Sequence, residues 1–63
     1  MNGKSSKLKR NIVMCLKCGD IIESRHRHDF VQCECKAVFT DGGTDYIRRG
    51  GEPEWMQDLS HYA

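Results

Sequence analysis

The sequence contains no long hydrophobic run, and the longest one near its start is the stretch 12–16, Ile-Val-Met-Cys-Leu. Nothing in it resembles a transmembrane segment or the apolar part of a secretory signal. We therefore expect no membrane partner and a location in a reducing cytoplasm.

Aromatic residues are scarce, at 8% of a 63-residue chain that has a single Trp. A chain of this length forms one domain at most, and it buries too little apolar surface to fold with a wide margin unless something braces it. A metal ion or covalent links would provide such a brace.

The chain also lacks a large net charge, which is only +1, so overall charge argues neither for nor against a nucleic-acid partner. The charges are unevenly spread, because residues 1–18 contain no acid and residues 51–63 contain no Lys or Arg. We interpret residues 1–10 as a disordered basic arm. It is either a solubilising tail or a segment that contacts the phosphates of a nucleic acid.

What the chain does have is four cysteines in two close pairs, Cys15, Cys18, Cys33 and Cys35. Two short chain reversals can present four thiolates to one tetrahedral ion, which is typical of a structural zinc site. Gly19 after the first pair tolerates the positive φ that such a turn requires. The second pair has one spacer residue and is followed by Lys36, so its turn must be tighter or wider than the usual one.

Three other interpretations of the cysteines stay open. A redox-active Cys-x-x-Cys would need a thioredoxin-like βαβ unit, for which the chain is short. Two disulfides would suit a secreted mini-protein. In the third, His26 or His28 replaces one cysteine as a metal ligand.

The segment 24–29, Ser-Arg-His-Arg-His-Asp, is a dense polar loop. His26, His28 and Asp29 could hold a second metal ion, or supply a general base beside a phosphate bound by Arg25 and Arg27, as in a small metal-dependent nuclease. No further carboxylate cluster completes such a site. Recognition through the two arginines is therefore the stronger hypothesis.

Short strands are predicted on both sides of each cysteine pair, at 11–14, 20–23, 30–32 and 37–40. The Asp-Gly step in 41–43 predicts a tight hairpin turn that leads into a strand over 44–49. On that strand Tyr46 and Arg48 share one face, and Arg49 lies on the other. The Tyr46 and Arg48 side chains could contact a base or a protein, or simply cover the sheet.

At the C-terminus, Pro53 and the flanking acids predict a short helix over about 53–61. Trp55, Met56, Leu59 and Tyr62 would form one apolar stripe on it. A helix this short does not hold alone in water, so it must dock. It would dock on the rest of the chain, in a groove of a partner, or on a second copy.

Taken together, the cysteines, turns and hairpins over residues 11–49 resemble a zinc ribbon. More narrowly, several short motifs resemble those of small uncharacterised proteins of bacteriophages and prophages: Cys15-x-x-Cys18-Gly19-Asp20, His28-Asp29-Phe30, Cys33-x-Cys35, and Asp41-Gly42-Gly43 with Tyr46 and Arg48. The resemblance implies a phage accessory protein that binds a host protein, but it brings no established activity.

The predicted fold is a small metal-stabilised β domain of the zinc-ribbon type, with short antiparallel hairpins and one short C-terminal helix. The predicted segments are the arm 1–10, the ribbon 11–50 and the amphipathic helix 51–63. One structural Zn²⁺ is the only expected cofactor.

We expect a non-enzymatic binding module that modulates or inhibits a host protein, with no small-molecule substrate; a homodimer is a further prediction. The candidate partner contacts are Arg25, Arg27, His28, Tyr46, Arg48, Arg49 and Trp55. The alternatives are a nucleic-acid-binding ribbon that uses the arm and the Arg25/Arg27 loop, and the minimal nuclease at His26, His28 and Asp29.

Overall fold

A computed structural model describes residues 8–62, which form two small antiparallel sheets. The strands are β1 (Leu8–Cys15), β2 (Ile21–Ser24), β3 (Val31–Gln32), β4 (Phe39–Asp41), β5 (Arg48–Gly50), β6 (Met56–Asp58) and β7 (His61–Tyr62), with a 3-10 turn at Pro53–Trp55. No helix in this part of the chain is long and apolar enough to cross a membrane.

The first sheet is built on β1, which pairs with β2, β6 and β7. Asn11, Val13 and Cys15 share its inner face and have no exposed area, while Ile12 on the other face is also buried, at 8% exposed. The predicted strands on either side of the first cysteine pair form a hairpin, β1 with β2, in which Val13 lies opposite Ile22. Because β1 has partners on both sides, it is the central strand of the molecule.

The second sheet has the order β3-β4-β5. The strands before and after the second cysteine pair are confirmed, with Val31 opposite Thr40. The tight turn predicted at Asp-Gly is wrong, since a six-residue loop, 42–47, joins β4 to β5. Gly42 has a φ of 103°, and its carbonyl accepts the amides of Asp45 and Tyr46, which closes this wider loop.

The core lies between the two sheets. It contains Val13, Cys15, Ile22, Cys33 and Val38, of which Val13, Cys15 and Val38 are fully buried. Val31, Ala37, Trp55 and Met56 pack against it. Two of its five members are cysteines, so the apolar interior and the thiol cluster are continuous.

The predicted C-terminal helix is wrong. After a single 3-10 turn, the segment forms β6 and β7 and pairs with β1 as far as Leu8 opposite Tyr62. A short isolated helix pays the full cost of nucleation. Pairing with β1 satisfies the backbone instead and packs Trp55 and Met56 on the core.

The predicted disordered arm is also partly wrong, because residues 8–10 belong to β1. Arg10 pairs with His61 of β7, and its guanidinium forms a bidentate ion pair with Glu23 at 2.9 and 3.0 Å. The rest of the predicted arm, residues 1–7, lies outside the described residues.

A buried polar network joins the two sheets at the end opposite the thiols. The Asn11 amide, with no exposed area, donates to the carbonyls of Asp41 and Gly43, and its oxygen accepts from Thr40 and Arg49. Arg49 Nη2 also bonds the carbonyl of Ile12 at 3.2 Å. Every polar atom of the Asn11 side chain therefore has a partner.

The Arg49 guanidinium extends this network to the C-terminal segment. It donates to Asp58 Oδ1 at 3.1 Å and to Ser60 Oγ at 2.9 Å, and its side chain is only 13% exposed. The predicted partner contact Arg49 is thus largely buried, because it connects β5 with β1 and with the loop after β6.

Candidate metal centre

The first cysteine pair lies in the turn between β1 and β2. The Gly19 amide donates to the carbonyl of Cys15 at 2.7 Å, and the Cys15 amide donates to the carbonyl of Asp20 at 2.8 Å. Gly19 adopts a φ of 81°, which a residue without Cβ accepts at little cost. This turn brings Cys18 back beside Cys15.

The second pair lies in the connection between β3 and β4, and its two cysteines are separated by one residue instead of two. The Lys36 amide donates to the carbonyl of Cys33 at 2.9 Å, and Lys36 takes a φ of 63°. Lys36 therefore occupies the left-handed position that Gly19 occupies in the first turn. Of the two geometries that the short spacing allowed, the structure has the tighter one.

The four sulfurs converge on one point. All four Sγ atoms lie within 4.8 Å of one another. Cys35 Sγ is 3.7 Å from Cys15 Sγ and 3.6 Å from Cys33 Sγ. A tetrahedral ion with metal–sulfur bonds of about 2.3 Å separates its sulfurs by about 3.8 Å. The cluster therefore has the dimensions of a four-thiolate metal site.

The cluster is buried on one side only. Cys15 and Cys33 belong to the core, whereas Cys18 and Cys35 are exposed. The Val38 amide also donates to Cys33 Sγ at 3.4 Å, which is a favourable contact for a thiolate. A bound ion would thus have two ligands anchored in the core and two at the surface.

The two turns are also linked directly. The Glu34 amide, between the cysteines of the second turn, donates to Asp20 Oδ2 at 3.0 Å. Asp20 follows Gly19 of the first turn, so this bond fixes the two turns relative to each other. Sequence reasoning did not single out Asp20 for this role, although its position directly after Cys-x-x-Cys-Gly offered a clue.

The thiols perturb one another strongly. Desolvation raises the pKa of the Cys33 thiol, but hydrogen bonds from the Val38 amide and the neighbouring thiols outweigh this effect and lower the pKa to about 7. At Cys35 the Ala37 amide lowers the pKa, but desolvation and hydrogen bonding to the other thiols outweigh it and raise the pKa to about 12. Backbone hydrogen bonds, from the Cys35 amide first, also lower the pKa of the Cys18 thiol. Thiolates are therefore favoured at Cys18 and Cys33 and disfavoured at Cys35, and a divalent cation would favour the thiolate form of all its ligands.

Among residues 8–62, the group that could hold a metal ion consists of these four cysteines and includes neither His26 nor His28. His28 lies instead against Tyr46, with Nδ1 3.1 Å from the tyrosine hydroxyl. Asp29 Oδ2 accepts the backbone amide of Arg25 at 2.9 Å. The structure therefore does not gather the predicted nuclease residues around a common point.

The predicted partner contacts are divided between different environments. Arg25 lies 3.6 Å from Glu23, Arg27 is exposed, and Tyr46 is half-buried against the loop 42–47. Trp55 is half-buried beside the first turn, where its carbonyl accepts the Leu16 amide and the Lys17 ammonium lies 4.5 Å from its ring centroid. These residues do not form one continuous patch around the thiols.

Comparison with protein-family models gives a match that covers most of the chain. Residues 7–51, which include all four cysteines, match the family model described as a domain of unknown function, DUF7695. No curated protein and no solved structure matches the chain.

Proposed function

Because the chain belongs to the DUF7695 family, whose description assigns no function, we propose a function from the cysteine cluster itself. We propose that the four cysteines bind one structural Zn²⁺ and that the protein is a non-enzymatic binding module built around it. The observation that carries this proposal is the set of four Sγ atoms within 4.8 Å at the junction of the two sheets.

The donor set favours zinc among the divalent metals. Thiolate sulfur is a soft ligand, and a tetrahedral all-sulfur site suits zinc or iron rather than magnesium or calcium. Zinc has no redox chemistry and forms closed four-coordinate sites in small domains. Metal analysis of the purified protein distinguishes the two ions directly.

A structural role follows from the number of ligands. Four cysteines fill a tetrahedral shell, so no position remains for water or substrate. The polar loop supports the same conclusion, since Asp29 is engaged with the Arg25 amide and His28 with Tyr46. The zinc would then hold the loops in place, and their exposed side chains would do the binding.

The protein-partner hypothesis extends this proposal. In it the partner is a host protein that the chain modulates, as the resemblance to phage proteins implies, and Arg25, Arg27 and Trp55 remain candidate contacts. Arg49 is the exception, since its guanidinium is already committed to Asn11, Asp58 and Ser60.

Cobalt substitution tests the ligand set. The reduced, metal-free protein is titrated with Co²⁺ while the d–d and sulfur-to-metal charge-transfer absorption is recorded. We expect saturation at one equivalent with a spectrum typical of tetrahedral four-thiolate cobalt. Cys35→Ser should weaken the charge-transfer band in proportion to the lost sulfur, and Glu34→Gln, next to it in the same turn, should leave the spectrum unchanged. A Cys35→Ser protein with the wild-type spectrum would contradict the four-cysteine site.

A further inference from the structure

The outer face of the second sheet carries an exposed aromatic pair, whose first member, Phe30, directly follows the polar loop. Phe30 and Phe39 stack with their ring centroids 4.7 Å apart and their planes 30° from parallel. Phe30 remains 54% exposed, so one face of its ring is covered by Phe39 and the other is open to solvent.

A glycine on the neighbouring strand β5 leaves room for one ring of this pair. Phe39 pairs with Gly50 across the sheet. A Cβ at Gly50 would lie 2.0 Å from the Phe39 ring, so the ring occupies the space that any other side chain would fill. The Phe39 ring lies over the neighbouring strand, where it supports Phe30.

A free cation lies on the same face. Arg48 is two residues from Gly50 on β5, so both side-chain positions face outward, while Arg49 between them points inward. Asp41 is opposite Arg48, but it is 7% exposed and its Oδ1 accepts the Gly42 amide. Arg48 is exposed and forms no ion pair with a carboxylate of the described residues.

The face is open rather than concave, since the described part of the chain contains no pocket. An anchoring side chain or peptide helix needs a pocket or groove to fill. A planar ring needs only a flat aromatic surface, and a phosphate needs only a free cation nearby. Gln32, opposite Phe39 on β3, adds an exposed amide at the edge of the pair.

From this arrangement we propose that the Phe30–Phe39 face binds single-stranded nucleic acid, with one base stacked on the open side of Phe30 and an adjacent phosphate contacted by Arg48. Arg48 is the diagonal neighbour of Phe39 across the β4–β5 pair. Such neighbours lie about 7–8 Å apart, within reach of a long side chain. Base stacking tolerates any sequence, so the face would select unpaired bases and not a particular order of them. This goes beyond the structural metal role and requires only that the sheet be folded.

The test is fluorescence anisotropy of a labelled oligothymidine about ten nucleotides long, in DNA and RNA form, against zinc-loaded protein in about 50 mM salt. Phe30→Leu keeps an apolar side chain but loses the ring face, and it should weaken binding roughly five- to tenfold. Phe30→Tyr keeps the ring and should bind like the wild type. Arg48→Gln should weaken binding and reduce the salt dependence by about one phosphate contact.

Ile21→Ala is the matched control, because Ile21 is also a large exposed apolar residue, 58% exposed, but lies on the other sheet. It should leave binding unchanged. Metal content and amide NMR dispersion are measured for every variant, and chemical-shift mapping on the unaltered protein should place the oligonucleotide at residues 30, 32, 39 and 48.

Several results would overturn the proposal. These are no binding of either oligonucleotide, tighter binding of a duplex of equal length, wild-type affinity in Phe30→Leu, or shifts confined to other residues. Capture of a protein partner through Phe30, with no oligonucleotide binding, would reassign the face to protein recognition. Absence of metal from a folded protein would refute the zinc proposal and leave this one standing.

Discussion

Two junctions hold the sheets of this protein together, and they are made of opposite chemistry. At one end four cysteines from two short turns meet at the edge of the core. At the other end Asn11, Thr40, Arg49, Asp58 and Ser60 form a hydrogen-bonded network without a metal. The first junction depends on something bound, and the second consists of the chain alone.

The two junctions differ in how far apart along the chain their bonded residues lie. Each turn of the thiol junction is complete within about five residues, and the cation would provide the link between them. In the polar junction the bonded residues are 29 positions apart for Thr40 and Asn11 and 48 for Ser60 and Ile12. Closing loops of that length costs entropy before the first bond forms. We therefore expect the polar junction to persist only while the metal junction holds.

Removal of the metal should have the largest effect. Zinc binding to a thiolate site contributes on the order of 10 kcal/mol, more than the net stability of most domains of this size. Chelation under reducing conditions, or Cys33→Ser, should abolish NMR dispersion and expose Trp55, the only tryptophan, to solvent. Glu34→Gln is the control and should stay folded. A metal-free protein with native amide shifts would show that the polar junction suffices.

Disruption of the polar junction should cost less. Arg49→Gln removes the charged donor that five acceptors share, and it should reduce the free energy of unfolding of the metal-loaded protein by about 2–3 kcal/mol. The adjacent Arg48→Gln is the matched control, since Arg48 is exposed, and its effect should stay within about 0.5 kcal/mol. Urea denaturation with excess zinc measures both. Equal losses would mean that Arg49 is not the connector.

Thr40→Val removes one hydroxyl of the network and keeps nearly the same side-chain volume. Thr40 is fully buried, and its hydroxyl donates to Asn11 Oδ1 at 2.7 Å and accepts from Arg49 Nε at 3.2 Å. We expect a loss of about 1–2 kcal/mol in the same denaturation experiment. In a double-mutant cycle with Arg49→Gln, the loss of unfolding free energy in the double variant should be smaller than the sum of the two single losses. Strict additivity would contradict a shared network.

The smallest effect should come from Arg10→Gln, which removes the surface ion pair with Glu23. Hydrogen bonding to Arg10 lowers the pKa of Glu23, against the effect of desolvation. A carboxyl with a lowered pKa contributes stability above its unfolded pKa, and that contribution is lost as the pH falls through the folded value. The difference in the free energy of unfolding between Arg10→Gln and the wild type should therefore be constant from pH 8 to about pH 5. A difference that changed between pH 8 and pH 6 would point to another titrating group.

Sequence reasoning succeeded where the structure is local. The clustering of the four cysteines, the hairpin around Val13 and Ile22, and the strands on either side of Cys33 and Cys35 each follow from spacing and alternation within a few residues. The tighter second turn was one of two geometries inferred from the single spacer residue.

It failed where a distant strand decides the conformation. The stripe of Trp55, Met56, Leu59 and Tyr62 suits a helix, yet β1 offers a partner strand whose paired residues lie 41 to 54 positions earlier in the chain, and pairing with it prevails. The same long-range pairing extends β1 back to Leu8. Arg49 was predicted to contact a partner, because nothing in its own neighbourhood reveals that Asn11 and Ser60 lie within bonding distance.

The central claim is that the thiol junction is a metal centre, and native mass spectrometry of protein purified under reducing conditions, without added metal, tests it most directly. The account predicts one zinc ion per chain, with the mass deficit of the protons that the thiols release on binding. A folded protein with the bare mass of the chain, or with the deficit of disulfides and no metal, would contradict it.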